Sequence, residues 1–186
     1  LLIIGLMIGA GTSSVVSVLQ VISSAEELQT YVIWTFGNVG SMSWPEIYVL
    51  LTIFIAGSLI AYICAKPLNA WLLGDNYAMS LGIDIRRSRF FVILSASLLT
   101  GGVTAFCGPI VFVGIAVPHL IKILMNTYNH KVLIPAVMMG GSMLLLLCDI
   151  LAQLPGSTQV LPLNAITAIF GAPIVVWIVL KNRMIR

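Results

Sequence analysis

Six stretches of this chain are apolar for long enough to cross, or nearly cross, a lipid bilayer: residues 1–22, 47–65, 90–106, 110–125, 132–151 and 163–180. A spanning helix needs roughly 20 apolar residues, range about 17 to 25, to traverse about 30 Å of hydrocarbon. The residues that would coat a water-soluble domain are missing. Only 8% of the 186 residues are Asp, Glu, Lys or Arg, against about 25% in soluble domains, and the mean hydropathy is +1.10. In hydrocarbon no water satisfies a backbone N–H or C=O, so each segment must close its own hydrogen bonds as a helix. The expected fold class is all-α: a polytopic membrane helical bundle with six transmembrane helices, forming one domain over residues 1–186.

The few charges orient the bundle, because Lys and Arg accumulate on the cytoplasmic side. Lys66, Arg86, Arg87 and Arg89 lie between the second and third spans, Lys122 and Lys131 flank the junction of the fourth and fifth, and Lys181, Arg183 and Arg186 form the tail. Six crossings put all nine on one side, with Glu26, Glu27, Glu46 and Asp149 at the other. The fourth segment is short and contains Pro118, yet making it re-entrant would set Lys131 opposite Arg86. The expected topology has a first helix running outward and a cytoplasmic C-terminus. A net charge of +3 so distributed forms no basic stripe, which excludes nucleic acid as a partner. Cys64, Cys107 and Cys148 have no metal-ligand or disulfide spacing and read as small apolar fillers. The opening Leu1-Leu2-Ile3-Ile4-Gly5-Leu6 has neither an initiator Met nor a basic n-region, so it reads as the interior of a longer protein rather than a signal peptide.

Between the first two spans, Trp34, Trp44 and Tyr48 suit the headgroup layer, and the loop 23–46 is expected to hold a short helix. The inner loop, 67–86, carries the most information. Leu73-Gly74-Asp75-Asn76-Tyr77-Ala78-Met79-Ser80-Leu81-Gly82 has the grammar of a short helix in a pair: Asp75 as N-cap, Gly82 in the left-handed C-terminal position, Asp84 capping the next helix. So short a helix needs a surface to pack against. Spacing alone leaves open whether that surface is a partner or the chain's own bundle.

In order and spacing, Leu73-Gly74-Asp75, Ala78, Leu81-Gly82, Gly108-Pro109-Ile110-Val111-Phe112-Val113-Gly114, Pro118-His119, Asp149, Leu161-Pro162 and Gly171-Ala172-Pro173 resemble the FecCD family. These are permease subunits of ATP-binding-cassette importers for iron-siderophores, haem and cobalamin. The resemblance implies helices five to ten of a ten-helix permease in the bacterial inner (plasma) membrane. Its implied partners are a second permease copy, identical or a close paralogue, two cytoplasmic ATPase subunits and a periplasmic or lipid-anchored substrate-binding protein. The chain itself would be no enzyme and would bind no cofactor or metal, ATP being used by the ATPase. Gly74, Asp75, Asn76, Tyr77, Ala78, Leu81 and Gly82 would form the coupling helix seated in the ATPase. Gly9, Thr12 and Ser13 of the first span would line the pathway, although small residues there equally serve close helix packing.

Two positions depart from the family pattern. Gln153 stands where many members have Arg, removing an ion pair to a binding-protein carboxylate, and Val160-Leu161-Pro162-Leu163-Asn164 replaces Glu-Leu-Pro-x-Gly. Gly108-Pro109 is expected to open the fourth span, with glycines 108 and 114 permitting tight packing. His119 reads as a hydrogen-bonded structural residue, and Asp149 as the one acid near a membrane interior. The competing class is an ion-coupled secondary transporter, which would want paired ionisable residues within the spans. An intramembrane enzyme would need a nucleophile and base, or metal ligands, at helical spacing; no HExxH or comparable pair is present, which leaves only a dyad of Ser13 and His119 from distant spans, with no visible acid partner.

Overall fold

The computed structural model describes residues 2–40, 42–153 and 161–183, so Val160 and Arg186 lie outside the described residues. Every regular element among these is helical: α1 (Leu2–Ile22), α2 (Ala25–Thr35), α3 (Trp44–Ile63), α4 (Ala65–Trp71), α5 (Asp75–Ser80), α6 (Ile85–Cys107), α7 (Val113–Met125), α8 (His130–Ala152) and α9 (Leu163–Arg183). Four stretches are long and apolar enough to cross a membrane, namely Ile3–Ile22, Trp44–Ile63, Ile85–Cys107 and His130–Ala152. Val113–Met125 and Leu163–Val176 are shorter apolar stretches.

The chain forms two compact units, Leu1–Thr35 and Phe36–Arg186. In the first, hydroxyls of α1 bond carbonyls one turn back: Thr12 Oγ1 donates to the Ile8 carbonyl at 2.9 Å and Ser14 Oγ to that of Ala10 at 3.0 Å. The expected short helix in the following loop is α2, opened by a reciprocal capping box. Ser24 N–H donates to Glu27 Oε2 (2.9 Å) and Glu27 N–H to Ser24 Oγ (3.3 Å). The Ser24 backbone bond, then the Ser24 hydroxyl, hold the Glu27 carboxyl below its ordinary range.

In the second unit α3 begins with another box, Ser43 against Glu46, with Pro45 in the first turn. Nearly uniform apolarity then leaves α3 no polar stripe to select a packing face, and glycines set its approach to α6. A Cβ on Gly57 would lie 2.6 Å from Leu99 Cγ, and one on Gly102 would lie 2.7 Å from Ile53 Cγ2. Residue pairs 53 with 102 and 57 with 99 run in opposite senses, so the helices are antiparallel. Ser95, buried on α6, donates to the Gly57 carbonyl across this seam at 2.8 Å. Gly140 of α8 likewise admits Ile121 of α7.

One end of this unit is tied together by hydrogen bonds. Asn38 N–H donates to the Cys107 carbonyl (2.9 Å), Asn164 N–H to that of Phe36 (3.0 Å) and Leu161 N–H to that of Ala152 (3.0 Å). Asn164 Oδ1 also accepts from Val111 N–H at 3.2 Å. Beneath these ties lies a small core of Cys148, Ala152, Leu163 and Ile166. The fourth apolar segment differs from expectation here, since its helix starts at Val113 rather than Pro109. Phe112 takes φ 68°, and Val113 N–H bonds the Val111 carbonyl at 2.9 Å, a tight reversal. Phe112 Cβ occupies the place where a side chain on Gly171 would go, whereas Gly114 borders open space and packs nothing tightly.

From this end α7 leads to the opposite one, where α8 begins. Lys66 on α4, Arg86, Arg87 and Arg89 at the start of α6, Lys122 in the last turn of α7 and Lys131 in the first of α8 collect at that second end, while Glu46 and Asp149 lie at the first.

Neighbouring Gly101 and Gly102 should respond oppositely to alanine. Gly101 meets nothing within 4 Å whereas Gly102 faces Ile53, so Gly101→Ala is expected to leave stability unchanged or raise it by up to about 1 kcal/mol. Gly102→Ala should lower it by about 1–3 kcal/mol through overpacking. Thermal unfolding in detergent measures both.

Candidate functional site

At the basic end, α4 and α5 bridge α3 and α6. Cys64 ends α3 and precedes α4 with nearly helical backbone angles, so the chain turns without an extended loop. Gly74 then reverses it at φ 104°, ψ 157°, a region essentially confined to glycine. Nothing lies within 4 Å of where its Cβ would be, so the requirement is conformational rather than spatial. Gly74 occupies the N-cap position with no side-chain cap bond, which corrects the expectation that Asp75 caps the helix. Asp75 is instead the first helical residue, where its carboxylate faces the positive end of the helix dipole.

The C-terminal expectation holds. Gly82, at φ 77°, donates to the Met79 carbonyl at 2.9 Å, and Ile83 N–H to that of Ala78 at 3.1 Å. Together these bonds make a Schellman closure. Asp84 caps α6 by accepting from Arg87 N–H at 3.0 Å. The six residues of α5 are thus bounded by two glycine-dependent reversals, with Ala78 wholly buried. Its other face is open: Tyr77 is 48%, Met79 54% and Leu81 58% exposed, and Leu72 and Leu73 before it are exposed as well.

Sequence reasoning placed Arg89 only in a charge cluster, but its geometry ties the three helices. Its guanidinium lies 6.0 Å from the Trp71 ring centroid on α4 and 3.8 Å from Asp75 Oδ2 on α5, both side chains of the ion pair being about 60% exposed. At such exposure the pair contributes about 0–1 kcal/mol, so it orients more than it stabilises. The structure therefore brings Gly74, Asp75, Asn76, Tyr77, Ala78, Leu81 and Gly82 together on one capped turn. Gly9, Thr12 and Ser13 lie exposed on α1, in the other compact unit.

Two residues singled out in the sequence have local partners. His119 Nδ1 bonds the Ile115 carbonyl one turn back at 3.0 Å, as expected of a structural histidine. Gln153 Nε2 donates to Asp149 Oδ2 at 2.8 Å, so this amide engages the acid of α8 itself.

Because neither Gly74 nor Gly82 is crowded, substitutions there read backbone strain alone. Gly74→Ala should destabilise most and Gly82→Ala by about 1–2 kcal/mol. Gly82→Asn should be milder because Asn tolerates the left-handed region. Thermal unfolding of the three variants gives the order.

The chain matches the model of the FecCD transport family over residues 1–181. It is 31% identical over 183 residues to the hemin transport system permease protein HmuU of Yersinia pestis, covering 98% of this chain and 54% of that one. It is 34% identical over 188 residues to the vitamin B12 import system permease protein BtuC of Vibrio parahaemolyticus, covering 100% and 56%. The chain thus spans about half the length of the curated relatives it matches. Among solved structures it is similar to an ABC transporter assigned to the metal-chelate type, in an inward-facing conformation, with TM-score 0.86, 32% identity and coverage of 96% of this chain and 58% of that one. With helices long and apolar enough for several membrane crossings and a family match along nearly its whole length, the chain belongs to the FecCD transport family.

Proposed function

We propose that this chain is part of the membrane subunit of an ATP-driven importer that moves an iron chelate, haem or cobalamin inward across the bacterial inner membrane by alternating access. The observation that carries the reading is the α4–α5 loop: an exposed apolar knob of Tyr77, Met79 and Leu81 on a short turn bounded by the positive-φ glycines Gly74 and Gly82. A capped knob transmits a push from a cytoplasmic ATPase without absorbing it, biasing a bundle with two arrangements. The relatives named as hemin and vitamin B12 permeases support the substrate class.

Six crossings and a cytoplasmic C-terminus complete the proposal. Collection of Lys66, Arg86, Arg87, Arg89, Lys122 and Lys131 at the loop's end of the second unit supports that orientation through the positive-inside preference. At about 1.5 Å per residue the 13 residues of α7 span about 20 Å. The non-helical residues before α7 would then lie at membrane depth, a role that the Asn164 bond to Val111 N–H suits. A second permease copy, two ATPase subunits and a substrate-binding protein are the proposed partners, and Gly9, Thr12 and Ser13 the proposed pathway residues on α1.

The test is to assemble the permease with its ATPase and change Asp75→Lys or Tyr77→Ala. ATP-driven uptake and co-purification of the ATPase should each fall at least tenfold, with thermal stability within a few degrees of the wild type. Unchanged uptake would remove the coupling assignment. Uptake that survives loss of the ATPase but collapses with the proton gradient would replace the importer by a secondary transporter.

A further inference from the structure

Behind the exposed turn, three polar side chains join α4 to the start of α8. Asn69 Nδ2 donates to Asn129 Oδ1 at 2.8 Å. Asn69 Oδ1 accepts from His130 N–H at 2.8 Å and meets His130 Nδ1 at 2.7 Å. Asn129 Oδ1 also accepts from Lys131 N–H at 3.1 Å, capping α8.

The donor and acceptor roles close on one assignment. Asn129 must present oxygen, because it caps a backbone N–H. Asn69 must therefore turn its NH2 toward Asn129 and its oxygen toward His130, and the His130 ring must carry its proton on Nδ1. With these roles assigned, neither amide can flip without losing bonds to both neighbours. These residues lie 60 and 61 positions apart, and they connect the short helix beside the knob to a long apolar helix that continues to Asp149 and Gln153 at the other end of the unit.

We infer that Asn69, Asn129 and His130 form a positioning joint through which displacement of the α4–α5 loop is delivered to α8, so that the two move as one body during the transport cycle. The inference rests on the loop being the ATPase-coupling element. Without the joint, α4 would reach α8 only through apolar packing, which resists compression but slides along the surface. The hydrogen bonds add resistance to shear and pull, and a returning half-cycle requires pull. Arg89, through Trp71 and Asp75, makes the corresponding tie from the loop to α6. The knob thereby acts on α6 and α8 together.

The experiment uses the complete importer in proteoliposomes with its binding protein and hemin, cyanocobalamin or a ferric hydroxamate as probe, whichever the wild type accumulates. It reads probe molecules moved per ATP hydrolysed. Asn69→Leu removes the joint alone and should lower that ratio at least fivefold, while co-purification with the ATPase and the unfolding temperature stay near wild type. Asn69→Asp keeps both acceptor contacts to His130 but loses the donor to Asn129, and should recover part of the ratio. Asn129→Asp preserves the α8 cap and the acceptor for Asn69, and should recover most of it. A wild-type ratio in Asn69→Leu would overturn the joint, as would equal loss in all three variants accompanied by a fall in unfolding temperature, which marks a merely structural role. Should the wild type itself move no probe with ATP, the importer reading fails, a result visible before any variant is measured.

Discussion

A backbone in hydrocarbon has no water to bond, and each of its N–H and C=O groups must find a partner within the protein or destabilise it by several kcal/mol. Long helices meet this requirement along their length, but every interruption reopens it. Four of the interruptions are closed by side chains of the types that cap helices: Ser24 with Glu27, Ser43 with Glu46, Asp84 and Asn129. The break before α7 is closed differently. Helical bonding there begins only at Val113, and the side chain of Asn164, at the start of α9, supplies the acceptor for Val111 N–H. Asn164 thus holds a break in a neighbouring segment.

Packing follows from the same solvent. Lipid offers no hydrophobic force to press apolar helices together, so close approach of backbones has to supply the attraction. Gly57 and Gly102 allow α3 and α6 that approach, Gly140 does so for α7 and α8, and Gly171 receives Phe112. Ser95, bonded to the Gly57 carbonyl, adds a polar tie where the helices already touch. The exposed turn bounded by Gly74 and Gly82 is short and is backed by the fully buried Ala78, which suits the coupling role proposed for it.

Local features were legible before the structure. The α2 helix, the paired short helices of the 67–86 loop, the Gly82 closure and the Asp84 cap all depend on residues within about five positions of one another. The Asp75 cap was misassigned for an equally local reason. A glycine at φ 104° can itself take the N-cap position, which moves the helix start one residue beyond where side-chain preference alone puts it. The expected start at Pro109 failed because Asn164 and the Gly171 side of α9 hold 111–112 in a turn, and neither is near in sequence.

From the sequence alone come the all-helical character, the helix positions to within a few residues, the sorting of charges and the loop that merits attention, because hydropathy, capping and charge are properties of each segment by itself. Only the tertiary structure decides that Gly102 is crowded while Gly101 is free, that Gly114 packs nothing, and that Asn69 meets Asn129 and His130. Those outcomes depend on the register in which separate helices settle, and a nearly uniform apolar surface such as that of α3 encodes no register until its neighbours close on its glycines.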